Sequence, residues 1–64
     1  MEQYQQRVVN EKNELDIKAK ALSDFIGNSP NFEAIDSAEQ ERMKVQNEIM
    51  WQYSEILGKR IAAF

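Results

Sequence analysis

The 64-residue chain has no cysteine and no histidine, and only one proline and two glycines. Without cysteine there is neither a disulfide nor a thiolate–metal site to staple a small fold. Without histidine the side chain best suited to proton transfer near neutrality is missing as well. Carboxylates, lysine, tyrosine and serine remain, but none stands in a catalytic or metal-ligating spacing. No catalytic residue, metal site or other cofactor is therefore expected. No apolar run approaches the ~20 residues of a membrane span. The opening Met1-Glu-Gln-Tyr-Gln-Gln lacks the basic start and apolar segment of a signal peptide, which points to a cytoplasmic protein without a membrane partner. Basic residues are few, eight against eleven acidic ones, for a net charge of −3. Binding to a DNA or RNA polymer draws mainly on clustered Lys and Arg that neutralise phosphates. Here only Lys18/Lys20 and Lys59/Arg60 are close pairs, so no polynucleotide partner is expected. A small anion held by two or three cations is compatible with the same balance, because net charge governs long-range attraction and not a local pocket.

What the chain does contain is two amphipathic stripes of helical period on either side of Gly27-Asn28-Ser29-Pro30. Tyr4, Val8, Leu15, Ala19, Leu22 and Phe25/Ile26 form the first; Met43, Ile49/Met50, Tyr53, Leu57, Ile61 and Phe64 form the second. Spacings of three, four and seven put each set on one helical face. The pattern predicts a first helix over Glu2–Ile26, ended by Gly27-Asn28, two residues tolerant of the left-handed conformation. Ser29 then caps a single turn with Pro30 at its first position. This turn runs to Ile35, and its Phe32 and Ile35 plug the hairpin end. Asp36 or Ser37 caps a second helix, with capping-box spacing to Glu39 and Gln40 respectively, that runs to about Ala62. On solvated faces Glu14 pairs with Lys18 and Asp16 with Lys20, each worth ~0.3 kcal/mol. Gly58 costs its helix about 1 kcal/mol of propensity, either simply tolerated or admitting another chain. The fold class is all-α: one domain over residues 1–64, an antiparallel helical hairpin with a short connecting helix.

Such a hairpin is short of core. Ordering each residue costs about 1.5 kcal/mol, whereas full burial of a large apolar side chain returns about 1.5–3 kcal/mol. Two helices shield only their facing stripes. Val9, Val45 and Trp51 lie off those stripes and widen the apolar surface. With no staple available, the expected remedy is self-association into a homo-oligomeric helical bundle.

Both stripes are broken by polar residues: Glu11 and Lys18 in the first, Glu39, Gln46 and Arg60 in the second. If the chain reverses at residue 31 or 32, Lys18 falls beside Gln46, Glu11 near Gln52 or Tyr53, and Tyr4 near Arg60. Two kinds of role fit them. In the first, they fix register and oligomer state, with Lys18 snorkelling along its methylenes, Glu11 paired to Arg7 or Lys12, and Arg60 stacked on Tyr4. That makes the protein an interaction module, a helical-bundle adaptor with no small ligand. In the second, an aromatic face stacks a nucleobase and lysine or arginine hydrogen-bonds its phosphates, between protomers.

The run Leu22-Ser-Asp-Phe-Ile-Gly-Asn-Ser-Pro-Asn-Phe-Glu-Ala-Ile, then Glu39-Gln40, Gln46, Met50, Tyr53, Ile56-Leu57 and Arg60-Ile61, bears on that choice. With Arg7-Val8, Glu11 and Leu15 ahead of it, the pattern resembles the small phage helical-hairpin proteins grouped with anti-CBASS and anti-Thoeris cyclic-nucleotide sponges. The likeness covers about residues 4–61. It implies a phage protein that sequesters immune signalling nucleotides in the host cytoplasm without cleaving them. It also implies a homohexamer with cyclic dinucleotides bound between subunits, and in some relatives cyclic trinucleotides or cyclic ADP-ribose isomers. On this resemblance the base-stacking aromatic falls on Tyr4 and the phosphate-binding lysine on Lys18, with Lys20 as the alternative. Arg60 serves a trinucleotide pocket, and Arg7, from the opening of the pattern, completes the candidate set.

Overall fold

The computed structural model describes residues 1–64 and consists of helix α1 (Gln3–Asn28), a 3₁₀ turn (Pro30–Ala34) and helix α2 (Ser37–Ala62). Each helix has 26 residues, and they pack antiparallel into a rod of 45 × 15 × 13 Å. The all-α hairpin with its short connecting helix is the expected architecture.

At the start of α1, the Glu2 backbone N–H donates to Gln5 Oε1 at 2.9 Å. The far end differs from expectation, because Gly27 and Asn28 remain helical and no residue has positive φ. The stop comes from Pro30, whose ring drives the preceding residue out of the helical region. Ser29 is accordingly extended, at φ −87° and ψ 128°. Its hydroxyl then accepts the Asn31 N–H at 3.2 Å, and Pro30 opens the turn. Asp36, rather than Ser37, caps α2 by accepting the Ala38 N–H at 3.1 Å. Gln40 makes no capping box; its side-chain amide donates to the Phe32 and Ile35 carbonyls at 2.9 and 2.8 Å, tying the turn to α2. Phe32 is buried over the hairpin end, its ring edge-on to Phe25 at 6.0 Å.

The interhelical seam uses Val8, Lys12, Leu15, Ala19, Leu22 and Ile26 against Met43, Asn47, Met50, Ser54, Leu57 and Ile61, all buried or half-buried. Each set advances by four and three residues alternately, the heptad spacing of a coiled-coil seam. This corrects the expected α2 stripe. Ile49, Tyr53 and Phe64 are exposed, and Asn47 and Ser54 hold the seam instead. The register is also displaced. Phe64, not Arg60, lies beside Tyr4, because the reversal extends through Ile35 and Asp36 and shifts α2 by about one turn. Lys18 and Gln46 are both exposed, while the adjacent residues Ala19 and Asn47 make the contact between helices. Glu11 does meet Tyr53, whose hydroxyl donates to its carboxylate.

Two polar clusters fix this register. Lys12 Nζ donates to Asp16 at 2.8 Å and to Ser54 Oγ at 3.0 Å, and the Ser54 hydroxyl donates to the same carboxylate. Farther along, Trp51 Nε1 donates to Ser23 Oγ at 3.0 Å, and Ser23 donates to Asn47 Oδ1 at 2.8 Å. Asn47 in turn donates to the Ala19 carbonyl at 2.9 Å. No buried side-chain polar atom lacks a partner. Gly58 has a reason within the chain: a Cβ there would sit 3.3 Å from Lys12 Cε. A glycine lets the lysine stem cross α2 on its way to Ser54.

The Asp16 carboxyl is held below the ordinary aspartate range, first by its hydrogen bond from Lys12 and then by that from Ser54. Because the folded value is depressed, the associated stability is complete above the unfolded value and is lost as pH falls through the folded one. Asp16→Asn should therefore destabilise the hairpin near about pH 6, and the gap from wild type should narrow only as pH falls below the ordinary aspartate range. Urea unfolding across that range tests it. A gap that stays constant with pH would assign the loss to packing instead.

Candidate functional site

Four ion pairs use half of the eight cations: Lys12–Asp16, Lys20–Asp24, Arg42–Glu39 and Lys59–Glu55. Asp16 and Lys20 are thus committed to other partners than each other, and Glu14–Lys18 does not form. Lys44 sits 5.9 Å over the Phe32 ring. Arg7, Lys18 and Arg60, the three cations of the candidate set, have neither kind of partner and are exposed.

Helical geometry sets where these side chains stand. Tyr4, Arg7, Glu11 and Lys18 are separated by three, four and seven residues and share one face of α1. Tyr53 and Arg60, seven apart, share a face of α2. Glu11 accepts from Tyr53 and the Tyr4 ring meets Phe64 edge-on at 5.9 Å, so both faces belong to the same broad side of the hairpin. On that side Tyr4, Arg7 and Arg60 gather at the open end. Arg7 lies one turn beyond Tyr4, and Arg60 one turn before Phe64.

Lys18 stands apart from that group. It is fourteen residues from Tyr4 on a continuous helix, a rise of roughly 21 Å. A compact ligand cannot touch both within one chain, and a single hairpin contains no enclosed cavity. The residues that sequence reasoning missed are Lys12, Asp16, Ser23, Asn47 and Ser54. They carry the register-setting role first assigned to Lys18, Gln46 and Arg60, which are exposed. The alternating four- and three-residue spacing through Lys12, Asn47 and Ser54 was the available signal.

No helix is long and apolar enough to cross a membrane. Fold and surface together define a small all-α hairpin with an aromatic and several unpaired cations along one side. A family model described as Sequestin matches residues 2–63, and the chain belongs to this family, the phage cyclic-nucleotide sponges directed against CBASS and Thoeris defence. It is also similar to an uncharacterised 7.5 kDa protein of the denB–rIIB intergenic region of enterobacteria phage T4, 43% identical over 61 residues. That alignment covers 95% of this chain and 94% of the T4 protein. No solved structure matches.

Proposed function

We propose that this chain captures a cyclic dinucleotide, cyclic trinucleotide or cyclic ADP-ribose isomer between copies of itself in the host cytoplasm, without cleaving it. The captured messenger is withheld from its effector, and CBASS- or Thoeris-type defence is blunted. The reading follows the family's sequestering role, and one observation on this chain carries it. Arg7, Lys18 and Arg60 are left without carboxylate partners on the side that bears Tyr4. Unpaired cations beside an exposed aromatic provide phosphate contacts and a stacking face together. The wide separation of Tyr4 and Lys18 requires that a compact ligand take them from different protomers, in a homo-oligomer whose expected form is a hexamer. Capture without turnover acts by mass action, so sites must at least match messenger molecules in number.

Calorimetry against a panel of these nucleotides, with linear controls, tests the reading. Tyr4→Ala and Lys18→Ala should each remove about 1–3 kcal/mol of binding and leave the oligomer mass unchanged. Arg60→Ala should spare a dinucleotide and weaken a trinucleotide. The ligand should be recovered intact from the denatured complex. Recovery of linear nucleotide would refute sequestration, unchanged affinity in both single variants would refute the site, and silence across the panel would favour the adaptor.

A further inference from the structure

Phe64 falls just past α2, yet it keeps to the pattern of the seam. Ser54, Leu57 and Ile61 advance by three and four residues, and Phe64 is the next step of three. The backbone holds it there. The Ala63 N–H donates to the Arg60 carbonyl at 3.1 Å, and the Phe64 N–H donates to the Ile61 carbonyl at 3.1 Å.

On α1 the same pattern runs from Val8 back to Gln5, which is half-buried. The Gln5 side chain is already committed, because its Oε1 accepts the Glu2 backbone N–H at 2.9 Å. The Phe64 ring meets the neighbouring Tyr4 instead, with centroids 5.9 Å apart and planes at 77°. At the tip of Tyr4, Gln5 Nε2 lies 3.5 Å from the hydroxyl. The tyrosine is thus held at its ring and at its tip, and it is still 57% exposed.

That combination matters for stacking. A tyrosine in the first turn of a helix is otherwise free to change rotamer, and a base stacking on it must arrest that motion. Immobilising one such side chain costs about two- to tenfold in affinity, a cost avoided when the ring is already set. A perpendicular aromatic contact is a favoured arrangement in its own right. It also leaves ring surface open that a parallel stack of the two side chains would cover.

We infer that Phe64 is a positioning residue for Tyr4, fixing its ring in one orientation as a preformed platform for the nucleobase of a cyclic nucleotide. Phe64 acts through Tyr4 and does not itself touch the ligand. The inference rests on the proposed capture of a nucleotide at Tyr4 and adds the residue that prepares that aromatic.

Two measurements test it. The first is calorimetry with cyclic GMP–AMP, cyclic tri-AMP and cyclic ADP-ribose, read for whichever of these Tyr4→Ala binds less well than wild type. Phe64→Ala and Phe64→Leu should each weaken binding about two- to tenfold, and Phe64→Tyr should keep it. Leucine covers the end of the seam but supplies no ring, so a merely structural role would be met by Phe64→Leu. In a Tyr4→Ala background, Phe64→Ala should cost nothing further. The second measurement is proton NMR of the ligand-free protein. Tyr4 and Tyr53 are the only tyrosines, so Tyr53→Phe identifies the Tyr4 ring signals. The Phe64 ring should displace those signals, and Phe64→Leu should return them toward free tyrosine with circular dichroism unchanged. Full affinity in Phe64→Leu, a further loss in the double variant, or unmoved Tyr4 signals would overturn the positioning role while capture stands. A wild-type protein that binds none of the three probes would refute capture, and this role with it, even with the Tyr4 signals displaced.

Discussion

Phe32→Ala is expected to remove about 3 kcal/mol of stability, which is most of what a domain of this size possesses. Phe32 is 4% exposed, although it belongs to a connecting turn of five residues. Its ring lies perpendicular to that of Phe25 with centroids 6.0 Å apart, and Lys44 Nζ lies 5.9 Å from its centroid. The backbone around it is equally committed, since the Phe32 carbonyl accepts both the Gln40 amide and the Ile35 N–H. Truncation leaves a void that three separate segments must collapse to fill, and the turn has little slack with Pro30 at its start. Urea unfolding at one fixed protein concentration is the measurement, because any self-association couples to folding. A loss under about half a kcal/mol would mean that the turn does not act as a plug.

Leu57→Ala should cost about 2–5 kcal/mol, against less than about 0.5 kcal/mol for Ile17→Ala. Both residues are apolar and mid-helical, so helix propensity and side-chain size are closely matched. They differ in burial: Leu57 is 1% exposed and Ile17 71%. Leu57 is the largest side chain that the hairpin buries fully, and only Val8, Ala19, Phe32 and Ser54 join it as buried residues. With so small a core, one cavity falls on a large share of the total. Comparable losses for the two variants would mean that Ile17 is covered by a second copy of the chain and that the exposed face of α1 is an interface.

The two substitutions mark what was readable in advance and what was not. Phe32 could be placed from local chemistry alone. Ser29 ahead of Pro30 announces a cap and a first helical position, and an aromatic two residues later falls at the closed end of any hairpin. Leu57 also sits where the expected stripe put it. Its neighbours in that stripe were misplaced because α2 has two apolar stripes, Met43–Met50–Leu57 and Val45–Ile49–Ile56, and a periodicity of 3.6 weighs them alike. The site was legible in part. Tyr4, Arg7 and Lys18 share a face because their spacings require it, whereas their lack of intrachain partners depends on which carboxylates the neighbouring cations take.

Residue order by itself determined the two helices, the cap–proline turn between them, the absence of disulfide or thiolate-metal staples, and the resemblance that identifies the family. These follow from interactions within a few residues, or from composition, and need no knowledge of what packs where. Tertiary structure decided the register and the face. Lys12 had to find Ser54 and Asp16, and Asn47 the Ala19 carbonyl, before the alternating seam was selected over its rival. A polar group within a seam loses its contact with water and must be matched by a particular partner. That partner lies 28 residues away for Ala19 and Asn47, and 42 for Lys12 and Ser54. The alternating spacing offers this seam as one of two candidates, but only the pairing over that distance selects it.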